Sequence, residues 1–333
     1  MKKSSDVPAT PSSNHSPEEI VRKTAYEIEF SLVGITDLTP TSRSKIVFDR
    51  WIRDGRHGDM RYLSAGADKR HNPALLLDGA KSVICVGVNY YSEAKERRNR
   101  NAARHGNGMV AIYAHGGDYH SVMREMLEEL DRRLKESFPK MTSQIAVDTQ
   151  PISERDMALK SGIAWLGKNT CVISPEFGSW IFLGELITDL PLETDKPLES
   201  LCGSCTKCID ACPTGALDEP FLIDARKCIS YLTIEKRGDI PEYLHKPIGL
   251  NLFGCDACQQ VCPFNESARE SSVFDDRQQS PILDRSLEDL VEIGDGEFKR
   301  LTRDSAISRC KAEGMRRNAG IVAKNLCNDL SRD

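Results

Sequence analysis

One run of cysteines limits what this chain can fold around: Cys202-Gly-Ser-Cys205-Thr-Lys-Cys208-Ile-Asp-Ala-Cys212-Pro213. The C-x2-C-x2-C-x3-C-P spacing lets three thiolates wrap one cubane 4Fe–4S cluster and sends the fourth to a neighbouring cluster. A second run, Cys255-Asp-Ala-Cys258-Gln-Gln-Val-Cys262-Pro263, lies downstream, with Cys228 between the two. These eight thiols suffice for two cubanes. The same rule groups Cys202, Cys205 and Cys208 with Cys262, and Cys212 with Cys228, Cys255 and Cys258. Cys228 precedes Cys255 by 27 positions, so the second half carries a sizeable insertion. Structural zinc and disulfides are the alternatives. Zinc takes four ligands in two pairs and leaves the two Cys-Pro endings unexplained.

Size and composition bound the rest. At 333 residues the chain allows two or three domains. The 39% hydrophobic and 29% charged residues are a soluble globular balance, and no apolar run is long enough to span a membrane. The start, MKKSSDVPATPSSNHSPEE, has neither an apolar h-region nor a twin-arginine signal, so a cytoplasmic protein is expected. Twelve cysteines fit such a reducing compartment if most bind metal. A net charge of −5 argues against a general nucleic-acid coat but leaves room for a local basic face.

Residues 1–15 are Ser/Pro-rich and expected to be disordered. Ser16-Pro17-Glu18-Glu19 predicts a capped helix start. Strands are expected at Leu32–Ile35, Ser82–Asn89, Met109–Ala114, Ser143–Val147 and Gly178–Thr188. Between them, Asp118 to Phe138 reads as an amphipathic helix and Ser153–Ser161 as a short one. The expected class is therefore α+β or α/β. An α/β domain covers 16–190, a ferredoxin-like two-cluster domain 191–275, and a short helical segment 276–333, with helices at Ser286–Leu301 and Gly314–Leu330. No nucleotide fingerprint is present, and Asp118-Tyr-His120 lacks the glycine of a D-x-H-x-x-G signature. Gly162-Ile-Ala-Trp165-Leu-Gly167-Lys168-Asn169-Thr170 suits either a bulky planar ligand or a plain turn.

Further blocks carry a resemblance. HGDM, NYY, GGDYH, VDTQP, SGIAWLGKN, FGSWIFLGEL, KCISYLTIEKRG and FGCDACQQVCPFN stand in the order found in epoxyqueuosine reductases, over about residues 15 to 325. The chain resembles that family. The resemblance implies reduction of the cyclopentane epoxide of epoxyqueuosine, at the wobble position of a tRNA anticodon loop, to the alkene of queuosine. It further implies base-off cobalamin in the N-terminal domain, two 4Fe–4S clusters, an external low-potential electron donor, a monomeric protein, and a HEAT-like C-terminal segment smaller than in many members. Residue by residue, it makes Asp148 the proton donor, a turn or cap aspartate being the plain alternative, and Glu154 a second candidate. A carboxyl beneath an apolar corrin is expected to have a raised pKa. Arg70, Asp148, Lys168, Asn169, Ser230, Cys255 and Asp256 are placed near the corrin. For Lys168 and Asn169, hydrogen bonds to its amide edges compete with roles as surface charge and turn former. Some members carry a cysteine where this chain has Ala111. For tRNA, Lys236 and Arg237 are preferred, with Lys95, Arg97, Arg98, Arg100, Arg104, Arg316 and Arg317 as further cations; each run is otherwise a solvated face. A cobalamin-dependent reductive dehalogenase and a non-enzymatic electron-carrier or cobalamin-handling module are the rival readings.

Overall fold

In a computed structural model the described residues are 15–274 and 279–330, for the last two of which only the backbone is described. The tail expected at 1–15 lies, but for residue 15, outside them. Eight strands are formed: β1 (Leu32–Thr36), β2 (Ser82–Asn89), β3 (Met109–Val110), β4 (Ser143–Ala146), β5 (Trp165–Leu166), β6 (Val172–Ile173), β7 (Ile181–Thr188) and β8 (Asn251–Phe253). Four of them make the main sheet in the order β1-β2-β7-β4, antiparallel at every pairing. Of the two classes expected, this is the α+β one.

The central strand β2 reads SVICVGVN because both of its faces are covered, and all eight residues are buried. One face packs on helices Pro17–Glu27 and Tyr119–Ser137, which contribute Val21, Ala25, Met123, Leu127, Leu130 and Leu134. The opposite face meets helix Glu154–Lys160 through Met157 and Ala158. The first helix starts at the expected capping box, with Ser16 Oγ accepting the Glu19 N–H and the Glu19 carboxylate accepting the Ser16 N–H.

Two expected elements break for identifiable reasons. The strand expected over Met109–Ala114 stops at Val110, and a 3-10 turn follows at Ile112–Ala114. There the buried Asp256 carboxylate accepts the Ile112 N–H at 2.9 Å, in place of a ladder partner. The helix expected over Ser286–Leu301 divides into Leu287–Glu292 and Asp295–Leu301. Between them Ile293 is extended and buried, and its carbonyl accepts from Arg316 at 2.7 Å.

The cluster-bearing segment is bolted to the sheet domain. Asn265 Oδ1 accepts the Ser179 N–H at 2.7 Å, while Asn265 Nδ2 donates to Ser179 Oγ and the Gln259 carbonyl. Gly178, at φ 60°, makes this approach possible, since a Cβ there would meet Asn265 Oδ1 at 1.9 Å. The C-terminal helix, Lys311–Leu330, belongs to a core that also holds Val110, Leu252 and Phe253. From it the fully buried Asn318 donates to the carbonyls of Thr233 and Leu252, both at 2.8 Å. Asn318→Ala should therefore lower unfolding stability by roughly 1–3 kcal/mol, read as a shift in denaturation midpoint, because two buried carbonyls lose their donor.

Candidate functional site

The eight cluster cysteines gather as two neighbouring groups. Cys202 and Cys262 pack around Trp165, Ile173 and Phe264. Burial pushes the Cys208 thiol up to about 11, with the charges of Cys258, Cys262 and Cys202 adding to it. In the other group burial raises Cys228 to about 11 and Cys255 to about 12, and Cys258 contributes to both. Thiols so placed repel one another as thiolates and need a cationic centre to ionise together. Among the described residues no three His, Cys, Asp or Glu side chains converge on one ion position.

Lys168 and Asn169 serve these loops. Lys168 Nζ donates to the carbonyls of Gly203 and Cys205 at 2.7 and 2.9 Å. Asn169 Nδ2 donates to the Cys258 carbonyl, and its Oδ1 accepts the Cys171 N–H. The side-chain bonds expected toward a corrin edge are thus made to cluster loops instead. Of the plain alternatives, turn former holds for Asn169, whose Oδ1 bond closes the turn to Cys171, while Lys168 spends its ammonium on two carbonyls.

Asp148 stands immediately after β4 with a left-handed backbone, φ 47°. Its N–H donates to Glu154 Oε1, which ties the strand end to the start of helix Glu154–Lys160. Asp148 Oδ2 lies 3.1 Å from His120 Nε2, and the other ring nitrogen, Nδ1, is 2.6 Å from Asp118 Oδ1. Asp118 caps helix Tyr119–Ser137, so one residue begins the helix and aims its imidazole. Burial alone would lower the His120 pKa, but hydrogen bonds to Asp118 and Asp148 raise it to about 9. The His120 bond holds the Asp148 carboxyl below its usual value, overriding burial. This corrects the expectation of a raised Asp148. The raised carboxyl is Glu154, pushed to about 7 by burial and by the Asp148 charge.

An aromatic wall leads from this pair toward the second cysteine group. His120 stacks on Tyr119 at 4.0 Å, Tyr119 lies parallel to Phe182 at 4.1 Å, and Tyr113 meets both Tyr119 and Phe182 edge-on. Asp256, next to Cys255, is raised to about 7 by burial, and its charge is felt at Tyr113. Ser230 lies in helix Ile229–Ile234, whose N-cap is Cys228. Arg70 Nη1 donates to the Ile152 carbonyl at 2.7 Å, while its buried Nε has no partner among the described residues. An orphaned buried donor at Arg70, with an aromatic stack one of whose rings, Tyr113, feels Asp256 beside Cys255, fits an amide-edged macrocycle. Ala111 is closed against Gly254, where a Cβ would come within 2.5 Å of its own.

The expected tRNA cations divide. Lys236 pairs with Asp59 at 3.0 Å, and the exposed Arg237 donates to the carbonyls of Ile234, Arg309 and Cys310. Arg98 turns inward to the Leu283 carbonyl and Asp284, and Arg316 to the Ile293 carbonyl and Asp295. Arg317 binds the carbonyls of Leu232, Lys236 and Gly238. These three are internal ties, not a solvated basic face. Sequence reasoning passed over Asp118 and His120 as site residues. Their D-x-H spacing, with the aspartate at a predicted helix start, was the available signal.

The chain's similarities agree with this arrangement. A family described as "Epoxyqueuosine reductase QueG, DUF1730" matches residues 70–149, and one described as "4Fe-4S double cluster binding domain" matches residues 201–265. An epoxyqueuosine reductase of Cyclobacterium marinum is 39% identical over 305 residues, 91% of this chain and 96% of that one. The chain belongs to the epoxyqueuosine reductase family. The Escherichia coli member is 36% identical over 92% of this chain and 80% of its own. A crystal structure of a selenomethionine-labelled epoxyqueuosine reductase superposes with a TM-score of 0.82 at 34% identity, covering 94% of this chain and 83% of that one. Another, solved with a tRNA-Tyr epoxyqueuosine-modified stem loop, gives 0.81 at 34% identity over 93% and 81%. Membership makes this family member an oxidoreductase, and the double-cluster match decides for iron–sulfur clusters over zinc. No described helix is long and apolar enough to cross a membrane.

Two outcomes check the site. An NMR titration should find His120 protonated up to about pH 9, and Asp118→Asn should lower that value by roughly a unit or more. Because the folded value is raised, the stabilisation from this contact is complete below about pH 6.5 and is lost as pH rises through about 9. Cys262→Ser should cut reconstituted iron from about eight to about four atoms per chain, with a single-cluster EPR spectrum.

Proposed function

We propose that this chain reduces epoxyqueuosine to queuosine in the anticodon loop of tRNA, as a cytoplasmic monomer served by an external low-potential electron donor. The single observation that carries the reading is the proton-holding Asp118–His120–Asp148 array, joined through His120, Tyr119 and Phe182 to Tyr113, which feels the charge of Asp256 beside Cys255. A relative solved with an epoxyqueuosine-modified tRNA stem loop supports the substrate, and the compartment follows from a tRNA substrate. When bound, the two clusters would supply single electrons and cobalamin would gather them for the two-electron reduction.

The overall change is epoxide plus two electrons and two protons to alkene plus water. Both C–O bonds break, so the departing oxygen must be protonated. Near neutral pH the shared proton rests on His120, because Asp148 is the stronger acid of the pair. As the epoxide opens, that proton moves from His120 Nε2 to Asp148 Oδ2 and on to the oxygen. Asp118 keeps the imidazole aimed, its ionised carboxylate favouring the imidazolium, and solvent supplies the second proton and reprotonates His120. Arg70 and Ser230, with the backbones at Lys168, Asn169, Cys255 and Asp256, surround the cofactor. Lys236 and Arg237 contact the tRNA backbone. A Bacillus subtilis epoxyqueuosine reductase solved with an aspartate-bearing catalytic loop swung out of its active site supports a mobile role for the Asp148 loop.

The test is reconstitution with iron, sulfide and cobalamin under a low-potential reductant, followed by nucleoside mass spectrometry of epoxyqueuosine-tRNA. Turnover is expected, and its absence with intact clusters and bound corrin overturns the reading. Asp148→Asn should keep both cofactors and lose about 10²- to 10⁴-fold in rate. In the wild type the rate should fall as pH rises through about 9, where His120 gives up its proton.

A further inference from the structure

Tyr62 is a large aromatic left 49% exposed, in the short helix Arg61–Ala65 beside the Asp148 loop. That helix rides on the loop: a Cβ on Gly66 would stand 3.0 Å from Pro151 Cβ, and Arg70, four residues on, holds the Ile152 carbonyl. The guanidinium of Arg309 lies over the Tyr62 ring, 5.5 Å from its centroid. Arg309 is itself fixed, with Nε and Nη2 bonded to the two oxygens of Glu235 at 2.8 and 3.0 Å. Its carbonyl accepts from Arg237 at 2.9 Å. The Arg309 charge also helps keep Asp148 ionised, behind the larger effects of His120 and burial. Burial, then the charge of Glu235, raises the Tyr62 hydroxyl, so the ring stays a neutral phenol.

We propose that the Tyr62 ring, backed by Arg309, is the stacking platform for the nucleobase flanking the modified one in a tRNA anticodon loop. The proposal deepens the tRNA reading above and rests on it. Its physical basis is that single-stranded bases are held by stacking on aromatic rings and guanidinium planes, with cations taking the adjoining phosphates. A ring already seated on a fixed cation, with half its surface open, offers such a plane with little left to order. Arg237 and Lys236 lie on the same side, reached through the Arg309 carbonyl and the Asp59 contact. The competing role is a clamp holding the C-terminal segment onto the 61–71 region, through the same cation–π contact.

A stem loop carrying 2-aminopurine next to the wobble position separates the two. Binding to the reconstituted wild type should quench its fluorescence. Tyr62→Ala and the volume-retaining Tyr62→Leu should weaken binding roughly 5- to 150-fold and abolish the quench, raising KM more than they lower kcat. Tyr62→Phe should keep both affinity and quench. The inference is overturned if the folded, cluster-loaded Tyr62→Leu binds and quenches as the wild type does, even though the wild type converts the substrate. It is equally overturned if both variants lose only thermal stability. If the wild type fails to bind the stem loop at all, the tRNA reading falls and this platform with it.

Discussion

Packing two sets of mutually repelling thiols into one small region is the constraint on which the rest of this molecule depends. Each set draws ligands from two distant parts of the chain, so the 202–212 and 228–262 segments must be held together before any cluster can bind. Neutral amides and one cation do that holding. Asn265 and Gln259 lock the second run onto Ser179, Asn169 reaches the Cys258 carbonyl, and Lys168 gathers the carbonyls of the first run. None of these groups is a carboxylate, which would add to the negative charge the thiolates bring. Cys208, Cys228 and Cys255 are raised by burial and by neighbouring thiols, and iron binding converts that repulsion into ligation.

The opposite electrostatic problem is solved at Asp148. Asp148, Glu154 and Glu185 crowd one end of the sheet, and all three cannot ionise together. His120 decides which does. By supplying a cation to Asp148 alone, it leaves Glu154 near neutrality and Glu185, fully buried, held protonated. Proton inventory is therefore concentrated behind a single half-open carboxylate. A raised Asp148 pKa, expected from an apolar covering, is not required for acid chemistry when the paired imidazolium carries the proton.

How much of this could be read from the sequence follows from what kind of signal each residue leaves. Strand β2 was legible to the residue because an unbroken apolar run has one stable place, the middle of a two-faced sheet. The two-cluster segment was legible because ligand spacing is a covalent property of the chain, and the double-cluster family matches it over residues 201–265. The strand expected at Met109–Ala114 failed because its ending depends on Asp256, 144 positions away, which no local pattern announces. Asp118 and His120 read as an incomplete D-x-H-x-x-G signature, although the same spacing caps a helix and aims a ring. Lys168, Asn169, Arg98 and Arg317 show the common failure. A polar side chain reads as solvated until the carbonyls it must satisfy are known.

Those carbonyl-bound arginines bear on how an acidic chain can hold a polyanion. A guanidinium bonded to a carboxylate is cancelled, as Arg98 and Arg316 are by Asp284 and Asp295. Arg237 and Arg317 donate to main-chain carbonyls, which fix them in place without neutralising them. Arg317 is an internal tie, whereas Arg237 is exposed, so its unneutralised charge is anchored at the surface against a net charge of −5 for the whole chain. Counterion release supplies part of the affinity for a nucleic acid. The remainder has to come from contacts that salt does not screen, and an open aromatic face beside the Asp148 loop is the kind of surface that makes them.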